Sequence, residues 1–381
     1  MPSTNHTTPS CSTLVAADAL NEVVAVLKRH LPLTTAGRSW TQDDIYRILV
    51  DASVRASTVE SACNELESAP DARTVFFWIK PVESQDLRQL ENKLNQMLAD
   101  RLPPRLNYRP RQVAIDFTLI PYHGKPAQEE EEIRHSRAKS GTTHFHCYAT
   151  AYIIYKNKRV TVALTMVRAD DETLTVLQRL LSRLKGLSIR CKRLYLDRGF
   201  YSVQVIRFLQ TCSFVTVMPV IRRGKRMKAL LKVNQSYRTE YTMTTPKHGS
   251  VTFPVWVVCR YLQGRRGKRG IERLGYVVIG DLPWNPRQIR DGYRRRFGIE
   301  SSYRLMNQVR ARTSSREPGR RFLYVAIALL IINLWTYFKW RYLRVGKRVH
   351  HRLLSLSKLT RLLNRSVEDI YGLPSSICLQ L

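Results

Sequence analysis

Apolar residues recur at intervals of three and four through the first hundred positions, which is the spacing of amphipathic helices. The fit is clearest over Leu14–Leu31, Thr41–Leu49, Thr58–Glu67 and Leu87–Leu98. Thr41 precedes Gln42-Asp43-Asp44 and is expected to cap the second of these helices. We therefore predict a helical amino-terminal domain over residues 13–108. The Ser/Thr/Asn-rich segment 1–12 before it is expected to be disordered.

From Gln112 onward the pattern changes to short apolar runs that are typical of strands. Predicted strands and helices follow the order β-β-β-α-β-α-β: Val113–Ile120, His144–Tyr155, Arg159–Val167, Glu172–Leu184, Arg193–Leu196, Ser202–Leu209 and Phe214–Val220. The first three strands are expected to form an antiparallel meander. Residues 222–275 are basic and strand-rich and interrupt this pattern as an insertion. A strand at Tyr276–Ile279 and an arginine-rich helix after Asn285-Pro286 follow, and the tail 341–381 is basic and helical.

One apolar run requires a comparison with membrane spans. Phe322 to Phe338 is nearly unbroken and is flanked by Arg320, Arg321 and Lys339. It is shorter than the roughly 20 residues that a bilayer needs, and Asn333 interrupts it. We therefore interpret it as a helix buried on several sides, and we expect no membrane partner.

The net charge of the chain indicates which kind of partner it binds. The 381 residues include 63 Lys+Arg against 30 Asp+Glu, a formal net charge of +33 that is spread along the chain. Such an excess favours nucleic acid or an anionic membrane surface. The two short helices after Thr41 and Thr58 fit a DNA-binding helix-turn-helix and equally a helical support domain, and both interpretations stay open. The seven cysteines show no CxxC pairing, and no secretory signal is apparent, so we expect a reducing cytoplasm, with the protein associated with the nucleoid.

Three carboxylates lie at positions that are unusual for acidic residues. Asp116 interrupts an apolar strand, Asp197 ends another, and Glu300 lies among the arginines of the late helix. Phosphoryl transfer on DNA uses two divalent ions held by converging acids, and hard Mg²⁺ prefers carboxylate oxygens. Taken singly, Asp116 also fits a solvent-facing strand position, and Asp197 fits an ordinary turn. The three together, in this element order, indicate a metal cage.

These residues carry a resemblance to a known family. Ile115-Asp116-Phe117-Thr118, Leu196-Asp197-Arg198-Gly199-Phe200 and Tyr293-x2-Arg296-x3-Glu300 resemble the motifs of DDE transposases of prokaryotic insertion sequences, in the group with a Tyr-Arg-Glu-Lys signature. The resemblance covers about residues 110–340. It implies an α/β, ribonuclease-H-like mixed sheet flanked by helices, with a β-rich insertion and the amino-terminal helical domain. The catalytic core would comprise 109–221 and 276–340, and the insertion 222–275.

The resemblance also implies a role for each motif residue. Asp116, Asp197 and Glu300 would hold two Mg²⁺ or Mn²⁺ ions and so be catalytic. Arg296 would contact a phosphate beside the cleavage site, and Tyr293 would contact the transposon-end strand. Asn307 stands where the signature has its lysine. On one continuous helix, positions 293, 296, 300, 304 and 307 share a face, so Arg304 could supply the missing cation.

Two basic clusters in the insertion complete the predicted DNA-binding residues. They are Arg222, Arg223, Lys225 and Arg226, and Arg265, Arg266, Lys268 and Arg269. Glycine-interrupted arginine runs are suited to phosphate contacts without sequence readout, and they also fit solvated loops.

The expected function follows from the acids, the charge and the resemblance. We predict a DNA transposase, a Mg-dependent polynucleotidyl transferase, that cleaves transposon ends and joins them to target DNA in a cut-and-paste reaction. Its partners would be double-stranded DNA, as terminal inverted repeats and as target, and a second copy in a homodimer on DNA. The alternatives are a nuclease without strand transfer and an inactive basic DNA-binding protein. No phosphate-binding loop of the ATPase type is apparent, so ATP dependence is not indicated.

Overall fold

The computed structural model describes residues 13–34, 39–103, 106–127, 129–155, 158–263, 269–294, 296, 298–342 and 354–374, without the side chains of 158, 263, 269 and 298–301. The segment 1–12, which was expected to be disordered, lies outside these residues. The described chain forms two compact units. The helical unit contains the described residues within 1–102 and 305–381, and the sheet unit contains those within 103–304. The functional domain limits given above stay a prediction.

Helices and strands have the following bounds in chain order. The first five helices are α1 Ala16–His30, α2 Gln42–Val54, α3 Val59–Asn64, α4 Ala72–Glu83 and α5 Leu87–Ala99. The strands and the helices among them are β1 Arg111–Pro121, β2 Arg134–Lys139, β3 Thr142–Tyr155, β4 Lys158–Val167, α6 Thr173–Gly186, β5 Cys191–Leu196, α7 Val203–Gln210, β6 Val215–Pro219, α8 Lys225–Leu230, β7 Tyr237–Thr245, β8 Gly249–Gln263 and β9 Arg269–Ile279. The last helices are α9 Pro286–Arg294, α10 Gly298–Gln308, α11 Pro318–Tyr342 and α12 Leu356–Tyr371.

The helical unit is built around α11, which packs against α2, α4 and α5. Among the described residues, α11 is the one helix long and apolar enough to cross a membrane, and 89% of its most apolar window is buried inside the protein. The interpretation of a helix buried on several sides is confirmed. Asn333, which interrupts the apolar run, donates its side-chain amide to the carbonyl of Leu98 at 3.1 Å. A buried amide is tolerated there because it has this partner.

The predicted amino-terminal helices are present, with Thr41 as the cap of α2, and one further helix was missed. The Thr41 hydroxyl accepts the amide of Asp44, and the Asp44 carboxylate returns to the Thr41 amide. The missed helix, α4, contains Pro81 in its last turn, and its apolar stretch Val75-Phe76-Phe77-Trp78-Ile79 has no helical spacing that stands out in the sequence. Whether α2 and α3 bind DNA stays a prediction.

The sheet unit has a nine-stranded sheet in the order β2-β3-β1-β5-β6-β9-β8-β7, with β4 paired to β3. The pairs β1–β5 and β5–β6 are parallel and the other pairs are antiparallel. The predicted antiparallel meander, now β1, β3 and β4, is confirmed, and the run β4-β3-β1-β5-β6 has the ribonuclease-H-like order. The mixed sheet with flanking helices therefore agrees with the expected fold class. Strand β2 was missed because its residues, Arg134 to Lys139, show no apolar alternation.

The segment expected as a β-rich insertion is continuous with this sheet. β7, β8 and β9 form antiparallel pairs, and β9 pairs with β6, so the central sheet extends without a break. The segment also includes the short helix α8, which was not predicted. Gly224 precedes α8 with φ 78°, a left-handed conformation that explains the glycine between the basic residues.

The arginine-rich region differs from the single helix that the sequence suggested. Helix α9 ends at Arg294 and α10 begins at Gly298, and Arg296 between them has 3-10 geometry, so positions 293 to 307 do not lie on one continuous α-helix. The side chain of Glu300 lies outside the described residues, so the shared face drawn through Tyr293, Arg296 and Glu300 stays a prediction.

Candidate active site

The two predicted aspartates lie side by side because of the strand register. In the parallel pair β1–β5, Ile115 is the partner of Leu196, and β5 ends at that residue. Asp116 and Asp197 are the next residues on the two neighbouring strands. Asp116 stays in β1 and is buried, whereas Asp197 leaves the sheet in a turn closed by the amide of Phe200 on the Asp197 carbonyl at 3.1 Å. Adjacent strands therefore bring two carboxylates to one point.

A close ring contact fixes the turn that carries Asp197. Phe117 and Phe200 stack with ring centroids 4.6 Å apart. A Cβ atom at Gly199 would lie 3.1 Å from two atoms of the Phe117 ring, which is tighter than ordinary van der Waals contact. Only glycine allows this approach without displacing the ring, so Gly199 helps to hold Asp197 beside Asp116.

Arg296 joins the two carboxylates. Its Nη1 donates to Asp116 Oδ2 at 2.9 Å, and its Nη2 lies 3.1 Å from Asp197 Oδ1. The guanidinium is buried and lies over the Tyr293 ring, 5.2 Å from the centroid. We name Asp116, Asp197 and Arg296 the carboxylate cluster. Buried charges are tolerated when they are paired in this way.

The pKa values in the cluster depend on two opposing effects, burial of the charged groups and their pairing with opposite charges. Burial raises the pKa of Asp116 to about 7, the Arg296 guanidinium opposes that rise, and the Asp197 carboxylate adds to it. Burial works against the charged form of Arg296, but Tyr293 and the two carboxylates outweigh it and raise the guanidinium pKa further. Arg296 therefore remains charged, and its charge stabilises the carboxylates in a poorly solvated place.

Tyr293 packs in the core beside the carboxylate cluster. It is buried, and its hydroxyl donates to the carbonyl of Leu196 at 3.1 Å. Its ring packs against Tyr195 and Tyr276, with centroids 6.3 Å and 5.2 Å away. In this structure the ring supports the end of β5 and the guanidinium of Arg296 from within the core. Tyr293 also lines a groove that contains Asp197, and its predicted contact with a transposon-end strand stays a prediction.

Tyr303 is a site residue that the sequence analysis missed. Its hydroxyl donates to the backbone carbonyl of Asp116 at 2.9 Å and shares a hydrogen bond of 2.7 Å with the hydroxyl of Thr150. Thr150 is the cross-strand partner of Asp116 in the β1–β3 pair. Tyr303 thus ties α10 to the strand position of Asp116. The available signal was its spacing of three residues after Glu300, which puts both on one side of a helix.

Glu300 belongs to α10, but its side chain lies outside the described residues. The structure therefore brings together two of the three predicted acids, Asp116 and Asp197. Within the described residues, no three His, Cys, Asp or Glu side chains are grouped closely enough to hold a metal ion. The three-acid cage stays a prediction.

The two carboxylates nevertheless fit a divalent cation. Carboxylate oxygens are the ligands that Mg²⁺ and Mn²⁺ prefer, and Asp116 and Asp197 offer them from neighbouring strands. The positive charge between the two acids is supplied here by the Arg296 guanidinium, which contacts one oxygen of each carboxylate. The cluster thus already accommodates positive charge between the two acids, and these are the residues that would hold a metal ion.

A groove lined by arginines opens beside Asp197 within the sheet unit. Its volume is about 820 Å³. We name it the arginine groove. Outside the carboxylate cluster, the arginines that line it are Arg198, Arg222, Arg260, Arg273, Arg290 and Arg294. Glu272 also lines it and pairs with Arg260 at 3.7 Å. The excess of positive charge suits the phosphates of a nucleic-acid backbone.

The predicted basic residues have different positions relative to the groove. Arg222 lines it, whereas Arg223, Lys225 and Arg226 are exposed residues that follow along the chain. Arg304 is exposed on α10. Arg265, Arg266 and Lys268, and the side chain of Arg269, lie outside the described residues. Arg260 and Arg273 were missed because each is a single arginine within a strand rather than part of a cluster.

Comparisons with known proteins give the family of the chain. The family model described as "Transposase DDE domain" matches residues 107–334, more than half of the chain. No curated protein matches the chain significantly. Among solved structures, the chain is similar to a piggyBac transposase in a synaptic complex with hairpin DNA, at a TM-score of 0.57 and 13% identity over 97% of this chain and 84% of that one. The catalytic domain of human endonuclease V matches at a TM-score of 0.23 and 13% identity, over 61% of this chain and 92% of that one.

Proposed function

Because the chain belongs to the Transposase DDE domain family, we propose that it cleaves the DNA ends of a mobile element and joins them to target DNA. The observation that carries the proposal is the carboxylate cluster at the edge of an arginine-lined groove. Acids that hold metal ions and cations that bind phosphate are the two parts that phosphoryl transfer on DNA requires. We also infer a prokaryotic insertion sequence as the source and a homodimer as the acting form.

The arginine groove would bind the DNA backbone. Its guanidiniums can donate to phosphate oxygens in pairs, which positions a strand without reading its sequence. Asp197 lies in the lining of the same groove, so a phosphate held by Arg198 or Arg294 would lie close to the carboxylate cluster. Sequence-specific recognition of the element ends would come from other parts of the chain, of which the pair α2 and α3 is the first candidate.

Asp116, Asp197 and, from α10, Glu300 would hold two Mg²⁺ or Mn²⁺ ions. When bound, such ions stabilise the charge on the attacking and leaving oxygens of an in-line displacement. The chain's own contribution is to fix these acids: the β1–β5 register and Gly199 hold the two aspartates, and Tyr303 holds α10 against the strand of Asp116. The low solvation of Asp116 strengthens every electrostatic interaction at this point.

One site is sufficient for both proposed reactions, because each is a phosphoryl transfer. In cleavage, a water oxygen attacks phosphorus at the element end, the bond to the 3′-oxygen breaks, and that oxygen leaves as a 3′-hydroxyl. In joining, the same 3′-oxygen attacks phosphorus in the target strand, and the target's 3′-oxygen leaves as a new hydroxyl. The proton that each attacking oxygen loses is balanced by the proton that the leaving oxygen gains.

The test is a cleavage and joining assay with linear duplexes that carry the sequences flanking the coding region. We expect Mg²⁺- or Mn²⁺-dependent 3′-hydroxyl ends and their joining to a second duplex. Asp116→Asn, Asp197→Asn and Glu300→Gln should each lower cleavage by about 10³-fold or more and leave DNA affinity nearly unchanged. Asp291→Asn, which alters an exposed carboxylate on the adjacent α9, is the matched control and should keep activity.

Each part of the proposal can fail separately. Cleavage that persists in any one of the three variants removes that residue from the site. Cleavage without joining identifies a nuclease. Binding of DNA with no cleavage in either metal leaves an inactive DNA-binding protein.

A further inference from the structure

Arg296 occupies the place between the two carboxylates. Its two terminal nitrogens lie 2.9 Å and 3.1 Å from oxygens of Asp116 and Asp197, and the side chain is almost fully buried. Each of those oxygens belongs to a carboxylate that the proposed function assigns to a metal ion. A divalent cation shared by both acids would therefore face the guanidinium at close range, in a medium that screens charge poorly.

Both cations cannot hold the same oxygens at contact distance. The guanidinium is always charged, so it cannot avoid the repulsion by losing its proton. The other oxygen of Asp116 already accepts the amide of Phe117 at 2.9 Å, so the guanidinium and a metal ion compete for Asp116 Oδ2. The interaction that stabilises the metal-free cluster therefore competes directly with metal binding.

The structure also provides a place for the displaced side chain. Arg296 itself lines the groove that contains Arg198, Arg294 and Asp197. It has 3-10 geometry and lies between α9, which ends at Arg294, and α10, which begins at Gly298. A guanidinium that rotates toward the groove would meet the region where DNA phosphates are proposed to bind, and a phosphate would replace the carboxylates as its partner.

We propose that Arg296 is an exchangeable counter-ion, which neutralises Asp116 and Asp197 in the metal-free protein and gives them up to a divalent cation. This inference rests on the proposed function only for the identity of the metal site. It has two measurable consequences. Removing the guanidinium charge strengthens Mn²⁺ binding, and it weakens the metal-free fold, because two neighbouring carboxylates then lack their cation.

The experiment measures Mn²⁺ affinity and thermal unfolding of the full chain without DNA, so that it does not depend on catalysis. Arg296→Gln should bind Mn²⁺ at least about tenfold more tightly than the unsubstituted protein. Its metal-free form should melt at a lower temperature than the unsubstituted protein, and Mn²⁺ should restore the difference. Arg294→Gln is the matched control, because it removes the same charge from an exposed groove residue of the same region. It should change Mn²⁺ affinity by much less.

Arg296→Lys keeps the measurement possible if the glutamine variant does not fold without metal. Lysine retains the charge but cannot bridge two carboxylates as a planar guanidinium does, so its Mn²⁺ affinity should fall between those of the other two proteins. Equal Mn²⁺ affinity in Arg296→Gln and Arg294→Gln would overturn the exchange. So would the absence of Mn²⁺ binding in all variants. Tighter Mn²⁺ binding by Arg296→Gln in a protein that does not cleave DNA would sustain the exchange and reject the proposed function.

Discussion

Two buried aspartates, one in each unit, have the same local chemistry and different surroundings. Asp51 in α2 and Asp116 in β1 are both buried, and each contacts an arginine. Burial raises the pKa of Asp51 to about 6 and that of Asp116 to about 7. Judged by burial and pKa alone, the two positions would be equal candidates for a functional site.

Their neighbours separate them. The partner of Asp51 is Arg55, one turn further along the same helix at 3.4 Å, which also pairs with Glu65. The partner of Asp116 comes from 180 positions away in the sequence and contacts Asp197 as well. Asp197 in turn lines a groove with an excess of arginine. A shifted carboxylate pKa is not enough to indicate a functional site, because structural ion pairs shift pKa values as well. It indicates one when a second acid and an accessible binding surface lie beside the carboxylate.

The largest expected effect is a change in the pH dependence of stability when Asp51 is replaced. In the folded protein the pKa of Asp51 is raised above its ordinary value of 3.8, so the folded state holds the proton more tightly than the unfolded chain. Stability should therefore fall as pH rises from about 4 through about 6, and the penalty should be complete above that range. Asp51→Asn removes the titrating group, so its free energy of unfolding relative to the unsubstituted protein should rise by about 2–3 kcal/mol between these limits.

Chemical denaturation at pH 4 and pH 8 measures this difference. Two charged neighbours also affect the pKa of Asp51: Arg55 lowers it, and Glu368 on α12 raises it. Asp51→Asn should also retain DNA cleavage, in contrast to Asp116→Asn. A loss of cleavage by Asp51→Asn without a loss of folded protein would mean that the helical unit contains catalytic chemistry.

The sequence permitted much of the sheet unit to be predicted and less of the site. Strand alternation located Asp116, and the end of a short apolar strand located Asp197, because both patterns are local. The inward position of Arg296 could not be found this way. Its partners are distant in the chain, and a run of arginines suggests an exposed helix face. Tyr293 was assigned to DNA for the same reason, and its packing against Tyr195 and Tyr276 could not be found from the local pattern either.

Two variants, one in each unit, each remove a single tyrosine hydroxyl. Tyr303→Phe deletes the hydrogen bonds to the Asp116 carbonyl and to Thr150 while the ring stays in place. We expect cleavage to fall about tenfold with DNA affinity unchanged, because α10 would be held less firmly against β1. Tyr371→Phe, which deletes a hydrogen bond to Asp44 in the helical unit, is the matched control.

Both phenylalanine variants should lose about 1 kcal/mol of stability, which thermal unfolding measures. Only Tyr303→Phe should lower the cleavage rate at saturating DNA. If the two variants lose activity equally, and in proportion to their loss of stability, the hydroxyl of Tyr303 supports the fold and does not position the site.

The smallest effect concerns the groove that distinguishes Asp116 from Asp51. Arg260 lines it from β8 and its charge is partly offset by Glu272, 3.7 Å away. If the groove binds DNA phosphates, Arg260→Ala should weaken DNA binding only a few-fold, uniformly across sequences, and should reduce the slope of log affinity against log salt by about 1. Arg238→Ala removes an exposed arginine of β7 that does not line the groove and should leave the slope unchanged. Fluorescence anisotropy over a salt series measures both slopes. Equal slopes in the two variants would mean that phosphates do not enter the groove beside Asp197, and the carboxylate cluster would then lose the feature that sets it apart from the ion pair of Asp51.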